Sequence, residues 1–362
     1  MLRRLLKDFR FGVLPVPGRI IAIVFFVCLF FIPLITDRNY YLFVFTISNL
    51  LVIFAVSWDL LSGYSGQVNF GHALFFGVSA YTVGLLNKYF GLQPWATIPI
   101  GTLVATGIGI VTCIPALRLR GPYLSLLTMA FPLVLLGLVM AFKNWTGGEF
   151  GIPGIPRIAD TRMGEYYICL IVMTVAVLIM WKLTDAGSRY IRTGLLFHAI
   201  REDEIAARAS GINTVRYKIL AFAIGGFFCG LAGALYVHIL GAAGISTLSM
   251  TLSFQAIIYV VFGGIVSIYG AVVGVYVLNT SLQLLGQGGQ NFIGENLILI
   301  MAILVILVLL FMPEGVGVWI RDRIERECPR CKLTNVAWRK ECRACGASLY
   351  NKNKQQSAIS SQ

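Results

Sequence analysis

Residues 42–72 read LFVFTISNLLVIFAVSWDLLSGYSGQVNFGH. The run 42–58 carries no charged side chain and is close to the roughly 20 apolar residues that a helix needs to cross a bilayer core about 30 Å thick. The stretch that follows, Ser62 to His72, concentrates glycines and hydrogen-bonding side chains where the next apolar run begins. A continuous lipid-facing helix does not tolerate such a stretch. Unpaired backbone groups at membrane depth persist only where they are buried in protein or face a water-filled path. Broken helices of this kind lie beside the substrate in many transporters. Ser65, Gln67, Asn69 and His72 are therefore candidates to line a path, with the alternative that they cap or pair the ends of the broken helix.

The rest of the chain extends this pattern. Of 362 residues, 57% are hydrophobic and 12% charged, and the mean hydropathy is +0.80, a composition for which lipid is the solvent. Charge-free windows recur at 20–36, 96–116, 122–142, 166–181, 219–240 and 297–312. The net charge of +13 does not point to nucleic acid, because the 29 Lys and Arg residues are clustered. They gather in residues 1–19, in 182–218 and beyond Glu314. The positive-inside rule places all three clusters in the cytosol. The absence of a small-residue cleavage pattern predicts an uncleaved first span. Parity then calls for about ten spans. It requires residues 254–287 to cross twice or to dip in and return, with Gly263, Gly264 and Gly270 around Ser267 supplying the bend. Helix packing through small residues is the plainer reading of those glycines. The predicted fold is all-α, a polytopic transmembrane helical bundle with broken helices.

The segment 184–217 is long, charged and helix-forming. Apolar residues at 200, 205, 206, 209 and 212 oppose a charged face at 201, 202, 204 and 208, which predicts a short amphipathic helix stopped by Gly211. Its three consecutive acids, Glu202, Asp203 and Glu204, would be repelled by anionic headgroups. Docking into a groove on a protein partner fits better.

Several stretches in order resemble the M-type membrane permeases of ABC importers for branched-chain amino acids. They are Ser62 to Leu86, Arg120 to Phe131, Thr146 to Pro156, Ala199 to Tyr236 and Val261 to Gly274. The permease region implied is 20–316, with a coupling loop at 184–217. The family's coupling motif, Glu-Ala-Ala followed three residues later by Gly, is met by Ala206, Ala207 and Gly211. The acid stands one place early, at Glu204, with Ile205 between. The resemblance assigns ATPase coupling to Arg201, Glu202, Asp203, Glu204, Ala206, Ala207 and Gly211. It implies a second, H-type-like permease subunit, two ATPase subunits and an extracytoplasmic solute-binding protein. The chain has no G-x-x-x-x-G-K-[ST] phosphate loop, so ATP would act only through those partners. Urea and short-chain amide permeases share almost the same motifs. An ion-coupled carrier or a membrane enzyme is disfavoured, because within the apolar windows the one acid is Asp59, near a span end.

The tail departs from that family. Cys328, Cys331, Cys342 and Cys345 form two C-x-x-C knuckles, the spacing of a four-thiolate structural zinc site, in a predicted zinc ribbon over 317–350. A cytosolic location would keep the thiols reduced. With Asn335 and Trp338, the knuckles resemble zinc-ribbon modules and the small zinc fingers of Ran-binding proteins. A structural or protein-docking role is favoured over RNA or ubiquitin binding. Cys28, Cys113, Cys169 and Cys229 lie in apolar windows and read as packing residues. Residues 1–19 form a basic cytosolic arm, and the polar composition of 351–362 predicts a disordered end.

Overall fold

The computed structural model describes residues 17–36, 38–119, 121–185, 192–285, 296–312, 314–328 and, in the tail, 334–337, 339, 341, 342, 345 and 347–349. Most of the basic arm and all of the polar end at 351–362 lie outside the described residues. The main helices are α1 (Pro17–Ile35), α2 (Asn39–Trp58), α3 (Ala73–Phe90), α4 (Pro94–Ala116), α5 (Pro122–Ala141), α6 (Arg162–Thr184), α7 (Thr193–Glu202) and α8 (Glu204–Ala209). They continue as α9 (Thr214–Leu240), α10 (Met250–Gly263), α11 (Ile268–Val275), α12 (Ser281–Leu285), α13 (Leu297–Phe311) and α14 (Val316–Ile324). Wider π-helical turns extend α2 over Asp59–Tyr64 and join α11 to α12 over Tyr276–Thr280. Strands β1 (Ile152–Pro153) and β2 (Ala242–Ala243) pair antiparallel, as do β3 (Glu325–Glu327) and β4 (Thr334–Val336).

Helix α2 is the hub. Residues 48–58 are buried on every side, the burial of a helix enclosed by others. Beside it, α9 comes close to α4 and α3 because its contact positions are small. A Cβ on Gly230 would stand 2.5 Å from the Ala105 Cβ, and one on Gly233 would stand 2.3 Å from the Phe76 carbonyl oxygen. Close approach through small residues drives helix association where lipid offers no hydrophobic gain. At the periphery, α5 turns Tyr123, Leu126, Leu133 and Val134 outward, apolar surface of the kind that faces lipid.

Among the described residues, five helices are long and apolar enough to cross a membrane, or up to seven if each of two bent pairs is one span. The ten crossings expected from charge parity require α1, α3 and both arms of the α10–α11 pair to be counted separately. Length and composition alone do not do that. The α10–α11 pair bends by 114°. Its break falls at Gly264 to Ser267, between the glycines that the sequence singled out. At the far end of the returning arm, the Tyr40 hydroxyl donates to the Gln283 carbonyl at 3.2 Å.

The arms of this hairpin touch backbone to backbone. A Cβ on Gly263 would lie 1.8 Å from the Gly270 oxygen, and one on Gly274 would lie 1.9 Å from the Tyr259 oxygen. Helix α14 seats on the bend, with the Gly317 position 2.7 Å from the Gly263 oxygen by the same measure. Strand β3 begins directly after α14, so the tail is tethered to the bend through one short helix.

Substituting Gly274→Ala should force the arms apart and cost about 1–3 kcal/mol. Gly137→Ala, where an added Cβ meets nothing within 4 Å, should be neutral or slightly stabilising. Thermal unfolding of the purified variants in detergent compares the two, and equal midpoints would contradict the packing described.

Candidate coupling and translocation site

The broken segment between α2 and α3 is held by its own polar side chains. Ser65 Oγ donates to the Leu61 oxygen at 2.6 Å, and Gln67 Nε2 donates to the Ser65 oxygen at 3.4 Å. Asn69 Oδ1 accepts from the Gly71 N–H at 2.8 Å, while the Trp58 indole donates to the Asn69 carbonyl at 2.6 Å. His72 Nε2 lies 2.8 Å from Ser57 Oγ, between the Phe54 and Phe75 rings. All four candidate path residues are buried, whereas Gly66 and Val68 on the same segment are exposed. The segment is also tied outward. Thr128 on α5 accepts from the Phe70 N–H, Ser253 on α10 accepts from the Ala73 N–H, and the Cys229 thiol on α9 donates to the His72 carbonyl.

The single amphipathic helix expected through Ala199–Gly211 is two helices. Asp203 leaves the helical conformation, with φ −152° and ψ 105°, and its Oδ1 accepts from the N–H groups of Ile205 and Ala206 at 2.8 and 3.0 Å. It is an N-cap, which satisfies donors that a helix start otherwise leaves open. An Asp directly ahead of a helix-forming run is the signal that could have located this break. Gly211, at φ +83°, closes the second helix in the left-handed conformation. Exposed on the pair are Arg201, Glu202, Asp203, Ile205, Ala206 and Arg208, with Ile205 71% accessible, while Ala207 is buried.

Glu204 faces inward. Lys218 Nζ at the base of α9 donates to its Oε2 at 2.8 Å, Arg208 pairs with Oε1, and Thr214 donates to Oε1 at 3.3 Å. Burial pushes this carboxyl group up, but the hydrogen bonds from Lys218 and Arg208 outweigh it and leave it below the usual carboxylate range. Its contribution to stability is therefore present above the unfolded-state value and is lost only as pH falls through the lowered folded value. The displaced acid thus anchors the α7–α8 pair to the bundle.

On the other side of the pair, the His198 ring meets Tyr64 edge-on at 5.5 Å. Burial, then the Arg201 charge, holds this imidazole below its ordinary range against the pull of Glu202. Arg201 lies over Gly66, where an added Cβ would sit 3.3 Å from its Cγ. The π-turn that carries Tyr64 also carries Asp59, fully buried, whose Oδ1 accepts from the Val266 N–H at 2.9 Å. Gly63 makes the room, since a Cβ there would stand 2.0 Å from that oxygen. Val266 has φ +63°, the one non-glycine with positive φ among the described residues, a conformation costing about 1–3 kcal/mol unless the surroundings hold it. A cavity of about 600 Å³ opens at this junction, walled by Tyr64, Thr184, His198, Val266, Glu314 and Arg321.

A second polar cluster was missed in the sequence. Ser48 accepts from Asn279 Nδ2 at 2.9 Å and from the Thr280 hydroxyl at 2.7 Å, and the Tyr276 hydroxyl donates to Asn49 Oδ1. These groups join α2 to the second π-turn inside the bundle. The π-turn is the structural mark of such a site, but serine and asparagine scattered through apolar windows do not announce it.

In the tail, the sulfur atoms of Cys328, Cys342 and Cys345 lie within 4.8 Å of one another, and Cys328 and Cys345 are 3.5 Å apart. Tetrahedral zinc at about 2.3 Å from each sulfur separates the sulfurs by about 3.8 Å, so the spacing fits the ion. Asn335 Nδ2 approaches Cys342 Sγ at 3.5 Å. The fourth thiol proposed from the spacing, Cys331, lies outside the described residues.

Glu204→Ala leaves the buried Lys218 ammonium without its partner, and should cost about 1–3 kcal/mol. Arg208→Ala, at an exposed side chain, should cost about 0–1 kcal/mol. Limited proteolysis between Thr193 and Lys218 reports the difference, and equal cleavage rates would contradict the anchoring role.

Residues 40–311 match the family model described as the branched-chain amino acid transport system permease component. The high-affinity branched-chain amino acid transport system permease protein LivM of Salmonella typhimurium is 27% identical over 315 residues, covering 79% of this chain and 72% of the relative. The protein of the same name from Escherichia coli is 28% identical over 320 residues, covering 81% and 72%. Among solved structures, PsaBC from Streptococcus pneumoniae in complex with Fab aligns with a TM-score of 0.42 and 15% identity, covering 83% of this chain and 99% of that one. With the family model spanning both broken segments, the helix pair and the hairpin, the chain belongs to the branched-chain amino acid transport system permease family.

Proposed function

We propose that this chain forms one half of the translocation path of an ATP-driven importer for branched-chain amino acids. The observation that carries the proposal is the exposed α7–α8 pair, pinned inward by Glu204 and packed against the first broken segment, within the family match at 40–311. A surface helix pair so held is shaped to receive a moving partner and pass its displacement into the bundle. The partners are two ATPase subunits on the face of α7–α8, a second permease beside this one, and a solute-binding protein on the opposite face, where β1 and β2 tie the loops together. The clustered Lys and Arg residues support a cytosolic position for α7–α8 and for both termini. Ser65, Gln67, Asn69 and His72 act on the path by holding the break whose exposed edge is Gly66 and Val68.

The reading is tested in proteoliposomes carrying the purified assembly and its binding protein. ATP-dependent leucine uptake that excess urea or acetamide does not compete away is expected. Competition by urea or acetamide would favour the amide-permease alternative. Uptake on a proton gradient without ATPase subunits would overturn the importer reading. Charge reversal in the pair, Glu204→Lys with Gly211→Pro, should abolish stimulation of ATP hydrolysis by the loaded binding protein while membrane insertion persists.

The tail is proposed to hold one structural zinc through Cys328, Cys342, Cys345 and Cys331. Metal contributes folding energy that so small a segment cannot draw from a core. Elemental analysis after mild purification should find about one zinc per chain, falling to background in Cys342→Ser with Cys345→Ser. Absence of zinc from the unaltered protein would sink the site.

A further inference from the structure

We propose that Asp59 is the positioning residue that carries movement of the α7–α8 pair into the bend of the α10–α11 hairpin, an inference that rests on the ATP-driven reading above. The helix pair meets the bundle at the π-turn, through His198 on Tyr64 and Arg201 over Gly66. From that same turn Asp59 extends to the Val266 N–H, a partner 207 positions away in sequence. One side chain thus bridges the two interrupted segments.

The two ends of the hairpin are held differently. Inside the bundle, Tyr276, Asn279 and Thr280 are fixed to Ser48 and Asn49 of α2 by three side-chain hydrogen bonds. This end is the pivot. At the bend, Asp59 supplies a side-chain hydrogen bond from the π-turn extension of α2, and it falls on the residue least able to keep its conformation unaided, a β-branched side chain at φ +63°. A shift of the π-turn is therefore delivered to Val266 and swings the bend about the pivot. An ionisable residue buried at this depth is expensive for stability alone, which is why a role in the moving parts fits it.

The experiment uses the full importer complex, with nitroxide amino acids at Leu195 on α7, Ile265 in the bend and Leu103 on α4, all exposed positions. In the unaltered complex ATP should change the Leu195–Leu103 and Ile265–Leu103 distances together, with Leu195–Ile265 constant. In Asp59→Leu, Leu195 should still move while Ile265 stays, and uptake per ATP should fall about tenfold, the scale of a single coupling interaction. Asp59→Asn keeps an oxygen acceptor and should retain most of the coupled movement. The double variant Asp59→Leu with Val266→Gly supplies a residue that takes positive φ freely, so it restores the turn without the link. It should remain uncoupled.

Recovery of uptake in the double variant would reduce Asp59 to a turn-former and overturn the proposal. So would coupled movement in Asp59→Leu, or failure of both leucine variants to assemble. If Leu195 itself does not respond to ATP in the unaltered complex, the ATP-driven reading fails and the link falls with it. If Leu195 moves there and Ile265 does not, the link alone fails.

Discussion

The hydrogen bond from the Val266 N–H to Asp59 is the contact on which the arrangement of the moving parts depends. It joins two places where a membrane helix is interrupted, and interruption is costly because each freed backbone group must find a partner away from water. The chain meets that cost with short-range polar side chains at the first break and with glycine-to-backbone contact at the second. Asp59 spans the two. Around it the bundle is built from small residues, and the one positive-φ non-glycine among the described residues is held at the point where the two breaks meet.

Placement of the α7–α8 pair follows from a second electrostatic choice. The acid of the family motif stands one residue early, and in this position Glu204 points at Lys218 rather than outward. The exposed surface then carries Arg201, Arg208 and Ile205 beside Glu202 and Asp203, with Arg208 paired to Glu204. In the proposed importer, an anchor turned inward and a docking face turned outward divide the work between adjacent residues.

Much of the fold was legible because lipid imposes a strict grammar. The charge-free window 42–58 lies within α2, 96–116 and 122–142 fall on α4 and α5, and the glycines at 263, 264 and 270 marked the bend. Local chemistry was legible too, since Gly211 stops its helix and three of the four tail cysteines converge. The long-range links were not. Asp59 read as a charge near a span end, because its partner is a backbone N–H more than two hundred residues away and backbone groups leave no mark in a sequence. Ser48, Asn49 and Asn279 were hidden for a related reason. Single polar residues in apolar windows also pair within their own helix, as Thr46 does with the Leu42 carbonyl. Asp203 was readable as a cap, but the periodic apolar pattern running through it favoured a single helix.

The most direct test is an electron cryo-microscopy map of the assembled importer. The ATPase should be seated on the Arg201–Gly211 surface, with Glu204 still on Lys218 and Asp59 still on Val266. A map that places the ATPase contact elsewhere, or that shows Glu204 reaching out to the partner, would contradict it.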